Sequence, residues 1–84
     1  MLFMSIFTFP PEKRDAVIRR RTERGAMSRG SILGEWITIG GGRVFGVVEV
    51  DDPSHMLQAV MAWSDLGQTE LVPIMTTEGA TKVP

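Results

Sequence analysis

Ile32-Leu33-Gly34-Glu35-Trp36-Ile37-Thr38-Ile39, Gly40-Gly41-Gly42 and Arg43-Val44-Phe45-Gly46-Val47-Val48-Glu49-Val50 form the stretch that decides the fold. Two runs rich in β-branched and aromatic residues around three glycines predict an antiparallel hairpin with a tight turn. The glycines join two strands and do not lead into a helix, so they lack the geometry of a phosphate-binding loop.

On the N-terminal side, Leu2 to Phe9 carries apolar residues on both parities, the pattern of a strand buried on both faces, and Pro10-Pro11 stops it. Pro11 to Arg24 is rich in helix formers, with proline in the first turn and Gly25 to close it. Only Ala16, Val17 and Ile18 are oily there, so arginine stems must cover much of what this helix packs against. Gly25 to Ser31 reads as a loop. On the C-terminal side Asp51 or Asp52 can cap a helix, Pro53 fits its first turn, and Met56, Leu57, Val60, Met61 and Trp63 recur at helical spacing up to Gly67. Thr69 to Thr76 is a last strand, and Pro73, with no N–H to donate, assigns it to an edge.

The order is β-α-β-β-α-β, a ferredoxin-like α+β fold: a four-stranded antiparallel sheet with two helices on one face, strand 4 at one edge and strand 2 at the other. Residues 1–76 make a single domain and 77–84 a loose C-terminal tail. At 84 residues only about 60% of the unfolded surface is buried, so a partner would add needed burial.

A three-glycine turn predicts the pairs Ile39 with Arg43, Ile37 with Phe45, Glu35 with Val47 and Leu33 with Glu49. That register sets Trp36 opposite Gly46 and turns Ile32, Trp36, Val44, Val48 and Val50 toward the helices, with Leu2, Met4 and Ile6 of the first strand. The other face then collects Phe3, Ser5, Phe7, Phe9, Leu33, Ile37, Phe45, Val47, Val72 and Ile74, interrupted by Glu35, Arg43, Glu49 and Glu70. Nothing in the sequence is left to cover it, and an apolar face of this size marks an interaction surface. A two-fold homodimer sealing that face is the economical expectation.

The net charge of −1 is unevenly spread, with seven Lys/Arg against three Asp/Glu in residues 1–29 and two against seven in residues 30–84. Arg19-Arg20-Arg21 is read as a solvated helix face complementing acidic surface elsewhere. No stretch has the length of a membrane span, the N-terminus lacks the charge pattern of a signal peptide, and the absence of cysteine is taken to indicate the cytoplasm.

The segments Met1-Leu2-Phe3-Met4, Arg24-Gly25-Ala26-Met27, Trp36, Arg43-Val44-Phe45, Glu49-Val50-Asp51-Asp52, Trp63-Ser64-Asp65-Leu66 and Glu70-Leu71-Val72-Pro73 resemble a family of small proteins described as a domain of unknown function (3303), grouped with the dimeric α/β-barrel, ferredoxin-like proteins. The resemblance covers nearly the whole chain. It implies a dimer whose two sheets face each other, and it brings no catalytic residues to transfer. Cofactorless monooxygenases, isomerases and haem-handling proteins belong to the wider superfamily, and none of their site patterns is present.

The candidate site is Glu35, Arg43 and Glu49 with the rings of Phe45 and Phe3. An arginine flanked by two carboxylates on an otherwise apolar face could hold a polar ligand head or abstract a proton; the plainer alternative is intersubunit salt bridges at the rim. His55 is the single histidine and reads as a solvent-exposed helix residue; with no cysteine it completes no metal set, and no cofactor is called for. Phe45 and Phe3 also match, in part, the stacking rings of RNA-recognition domains, but Val44, Val47 and Val50 replace expected signature residues, and Glu35, Glu49 and Glu70 would repel phosphates. The sequence therefore points to a homodimer binding a small, partly apolar ligand. A cofactorless monooxygenase or isomerase, and an RNA-recognition-like binder, stand as alternatives.

Overall fold

A computed structural model describes residues 1–25 and 31–82. The chain runs β1 (Leu2–Thr8), a 3-10 turn (Pro11–Lys13), α1 (Arg14–Arg24), β2 (Ser31–Ile37), β3 (Arg43–Glu49), α2 (Ser54–Trp63), β4 (Gln68–Ile74) and a single-turn helix α3 (Thr77–Ala80). One antiparallel sheet has the order β2-β3-β1-β4, so β1 and β3 are central and β2 and β4 are edges. This is the predicted α+β, ferredoxin-like arrangement, with Pro73 on the β4 edge. Most of the loop read over Gly25 to Ser31, from Ala26 to Gly30, lies outside the described residues, as do Val83 and Pro84 of the segment read as a tail. That segment begins with the helical turn α3, whose first turn is capped by the Thr76 hydroxyl accepting from the Gly79 N–H. No described helix is long and apolar enough to cross a membrane.

Both helices pack on the same side of the sheet. Phe7, Phe9 and Val44 meet Val17 of α1, Trp63 at the end of α2, and Leu66 in one buried cluster. Phe7 centres it, its ring 5.7 Å from Phe9 and edge-on to Trp63 at 5.9 Å. A second cluster sets Val48, Val50 and Met56 against Phe3, Ile32 and Leu71. Asp52 starts α2: its carboxylate accepts from the Ser54 N–H at 3.0 Å, a bond that lowers its pKa.

The strand faces differ from the expectation in two places, for two reasons. The hairpin loop contains Ile39 as well as the three glycines: Thr38 donates its N–H to the Arg43 carbonyl at 3.0 Å, and Gly41 and Gly42 turn the chain with φ of 76° and 98°. Pairing is therefore Ile37 with Val44, Trp36 with Phe45 and Glu35 with Gly46, one residue off the predicted register. A one-residue slip moves each side chain to the other face. Glu35 and Ile37 turn toward the helices, and Trp36, predicted to fill the space over Gly46, lies on the opposite face with its ring over Gly34. A β-bulge between Ile32 and Gly34 then restores Ile32 to the helix side and leaves Leu33 exposed. In β1 both parities are apolar, so periodicity cannot choose between them. The bulkier set, Phe3 and Phe7, fills the deep space beneath the helices, and Leu2, Met4 and Ile6 take the open face.

One contact fastens the two helices to each other. The Arg20 guanidinium donates to both Asp65 carboxylate oxygens at 2.6 and 2.7 Å and to the Ala62 carbonyl at 3.0 Å, while lying 5.4 Å from the centre of the Trp63 ring. These bonds pull the Asp65 pKa down to about 2. Arg20, read as part of a solvated face, is thus the clamp between α1 and the end of α2, with its guanidinium over the Trp63 ring.

Two predictions follow from this packing. A Cβ at Gly67 would collide with the Thr8 carbonyl and the Phe7 ring, whereas one at Gly34 meets only the movable ring of Trp36. Gly67→Ala is expected to destabilise by about 1–3 kcal/mol, a Tm fall of at least about 5 °C for a domain this small, and Gly34→Ala by under about 1 kcal/mol; thermal melts of both variants decide it. Because folding lowers the Asp65 pKa, its contribution is intact above the ordinary carboxylate value near pH 4 and is lost as pH falls toward 2. The Tm gap between the native chain and Asp65→Asn should therefore hold steady above about pH 4 and narrow below it in a pH series of melts.

Candidate functional site

The two halves of the helix layer are unequally filled. Beneath α2, which supplies Met56, Ala59 and Trp63, the hollow between Ser5, Thr69 and Leu71 measures about 10 Å3, room for one water at most. Between α1 and β2 there is a cleft of about 290 Å3, at the small end of the range for ligand sites. The cause is the composition of α1, whose single buried residue is Val17. Val17, Ile18, Ile37 and Val44 wall the cleft, and among the described residues none fills the space between Ile18 and Ile37, which stay half-exposed.

Across this cleft the Arg21 Nε donates to Glu35 Oε1 at 2.8 Å. Glu35 faces α1 because its strand partner is Gly46, which presents no side chain beneath it, and Arg21 reaches it from one helical turn beyond Val17. Thr22 completes the polar part of the lining.

The five residues proposed as one site are divided among different places. Glu35 belongs to the α1 cleft. Phe3 lies under the helices, packed against the cluster of Val48, Val50 and Met56. Arg43, Phe45 and Glu49 share the open face of β3, but Arg43 and Glu49 stand at its two ends, roughly 20 Å apart at about 3.3 Å per residue. An arginine flanked by two carboxylates is therefore not formed within one chain. Glu49 instead receives the α-amino group of Met1, which also donates to the Val50 carbonyl at 2.9 Å. Because Phe3 and Phe45 are on opposite sides of the sheet, they do not make the two-ring platform of an RNA-recognition domain. His55 is exposed in the first turn of α2.

Arg21, Ile18 and Thr22 were not legible as site residues. The available signal was spacing: Arg21 is four residues from Val17 and Arg20 four from Ala16, which puts both guanidinium groups on the inward flank of α1.

The open face is ordered in cross-strand rows. Gly34-Val47-Met4-Val72 and Trp36-Phe45-Ile6-Glu70 form the centre; Arg43-Thr8-Gln68 and Glu49-Leu2-Ile74 form the two ends. The central rows are apolar except for Glu70 on the edge strand β4, and Arg43 and Glu49 lie at the two ends.

No curated protein and no solved structure matches the chain. One family model does, over residues 1–83, and its description agrees with the resemblance read from the sequence. The chain belongs to the family described as a domain of unknown function (DUF3303).

Proposed function

We propose that the chain works as a homodimer, joined through the open sheet faces, in which each subunit holds a small, partly apolar molecule in the cleft between α1 and β2. The observation that carries the reading is the unequal filling of the helix layer: α2 leaves a hollow of about 10 Å3 and α1 one of about 290 Å3 with apolar walls and an ion pair. Four seven-residue strands give the open face a footprint of about 19 by 23 Å. In plan this is about 440 Å2, roughly half of the 800 Å2 per partner of a standard interface before side-chain relief is counted. Dimerisation through that side leaves the cleft, on the opposite side of the sheet, open to ligand.

The charged margin suits a particular symmetry. A two-fold axis in the interface plane and perpendicular to the strands sets Arg43 of one protomer against Glu49 of the partner subunit, twice, with the two central rows between them.

Native mass spectrometry and sedimentation of freshly purified protein test both halves. The expected result is a species of twice 9.3 kDa at micromolar concentration carrying a small organic adduct. Val47→Asp, at the centre of the face, should weaken association at least about 100-fold, or about 2.7 kcal/mol. Trp36 emission should shift red on dissociation, since Trp63 is buried within each subunit. Ile37→Trp should fill the cleft and abolish the adduct while leaving the dimer intact. A folded monomer at micromolar concentration removes the dimer, and an empty dimer unaffected by Ile37→Trp removes the ligand site.

A further inference from the structure

The cleft between α1 and β2 contains, among the described residues that line it, two ionisable groups of opposite sign, Arg21 and Glu35. They are joined through one bond, Arg21 Nε to Glu35 Oε1 at 2.8 Å, and among the described residues the Nη atoms of Arg21 and Oε2 of Glu35 have no other hydrogen-bond partner. Donors and an acceptor thus stand side by side at one end of an apolar hollow. A carboxylate entering it would gain Arg21 but be set against Glu35, already bonded to that guanidinium; an ammonium group would meet the reverse conflict. A neutral head carrying an acceptor next to a donor satisfies both groups and brings no unpaired charge into a half-buried site.

Resting on the ligand-binding reading above, we propose that the cleft selects an uncharged molecule with an apolar body and an adjacent acceptor and donor, of the primary-amide or hydroxycarbonyl class, its oxygen accepting from Arg21 and its N–H or O–H donating to Glu35. Selectivity lies in the balance of the two charges. Removing one should turn the site toward ligands of the opposite sign to the charge that remains.

The test is an amide-resolved NMR titration of the full chain at pH 7 with hexanamide, hexanoate and hexylamine, which share nearly the same apolar body and differ in head charge. Shifts are expected at Thr22 and Ile37, with hexanamide at least tenfold tighter than either ion. In Glu35→Gln, hexanoate should gain at least tenfold; in Arg21→Met, hexylamine should gain similarly. Should either ion bind the native chain as tightly as hexanamide, or Glu35→Gln bring hexanoate no gain, the charge-balance inference fails while the cleft remains a ligand site. Absence of cleft shifts with all three probes overturns the inference and the ligand-binding reading together.

Discussion

Two short helices cover one side of a four-stranded sheet, and there are no more helices of comparable length among the described residues to cover the other. The rest of the structure answers to that constraint. Of the N-terminal run, the helix side takes the bulkier residues, Phe3, Phe7 and Phe9, which are enclosed there with Met56, Trp63 and Leu66. The open side takes a flatter set, with Met4, Ile6, Val47 and Val72 shielding one another and Trp36 lying along the backbone at Gly34. A chain of this size gains little from a one-sided core, so the uncovered side is where further burial is available.

The helices do different work. α2 carries a continuous apolar stripe and seals the sheet over β1 and β4. α1 is largely charged, and its position is fixed by two arginines on adjacent residues reaching in different directions: Arg20 to Asp65 and the Trp63 ring, Arg21 to Glu35 on β2. The uneven charge of the two halves of the chain is accounted for in part by these pairs, each joining a basic residue of α1 to an acidic residue later in the sequence. A helix suspended on polar contacts does not close down on the sheet as a leucine-rich one would, and the cleft beside Ile37 is the space that remains.

Element order, edge strands, the hairpin and a helix start at Asp51 or Asp52 were legible in the sequence because each rests on a local signal: Pro73 without its N–H, three successive glycines, an aspartate ahead of Pro53. The faces were not. Leu2 to Phe9 is apolar at nearly each position, so alternation gives no sign, and the register of β2 hung on whether Ile39 belongs to the strand or to the turn. That single residue decides whether Glu35 looks toward Arg43 or toward Arg21, and with it where the polar part of the site lies. Arg43, Phe45 and Glu49 were placed on the open face as predicted, because the parity of β3 is clear from Val44, Val48 and Val50.

Both lateral margins of the sheet are spoiled as templates for adding strands. On β4 the ring nitrogen of Pro73 interrupts the row of donors, and on β2 the bulge at Leu33 breaks the spacing. Growth by lateral accretion, the route to fibrils, is thereby obstructed at either end, which leaves the flat side as the surface on which the pairing proposed above would form.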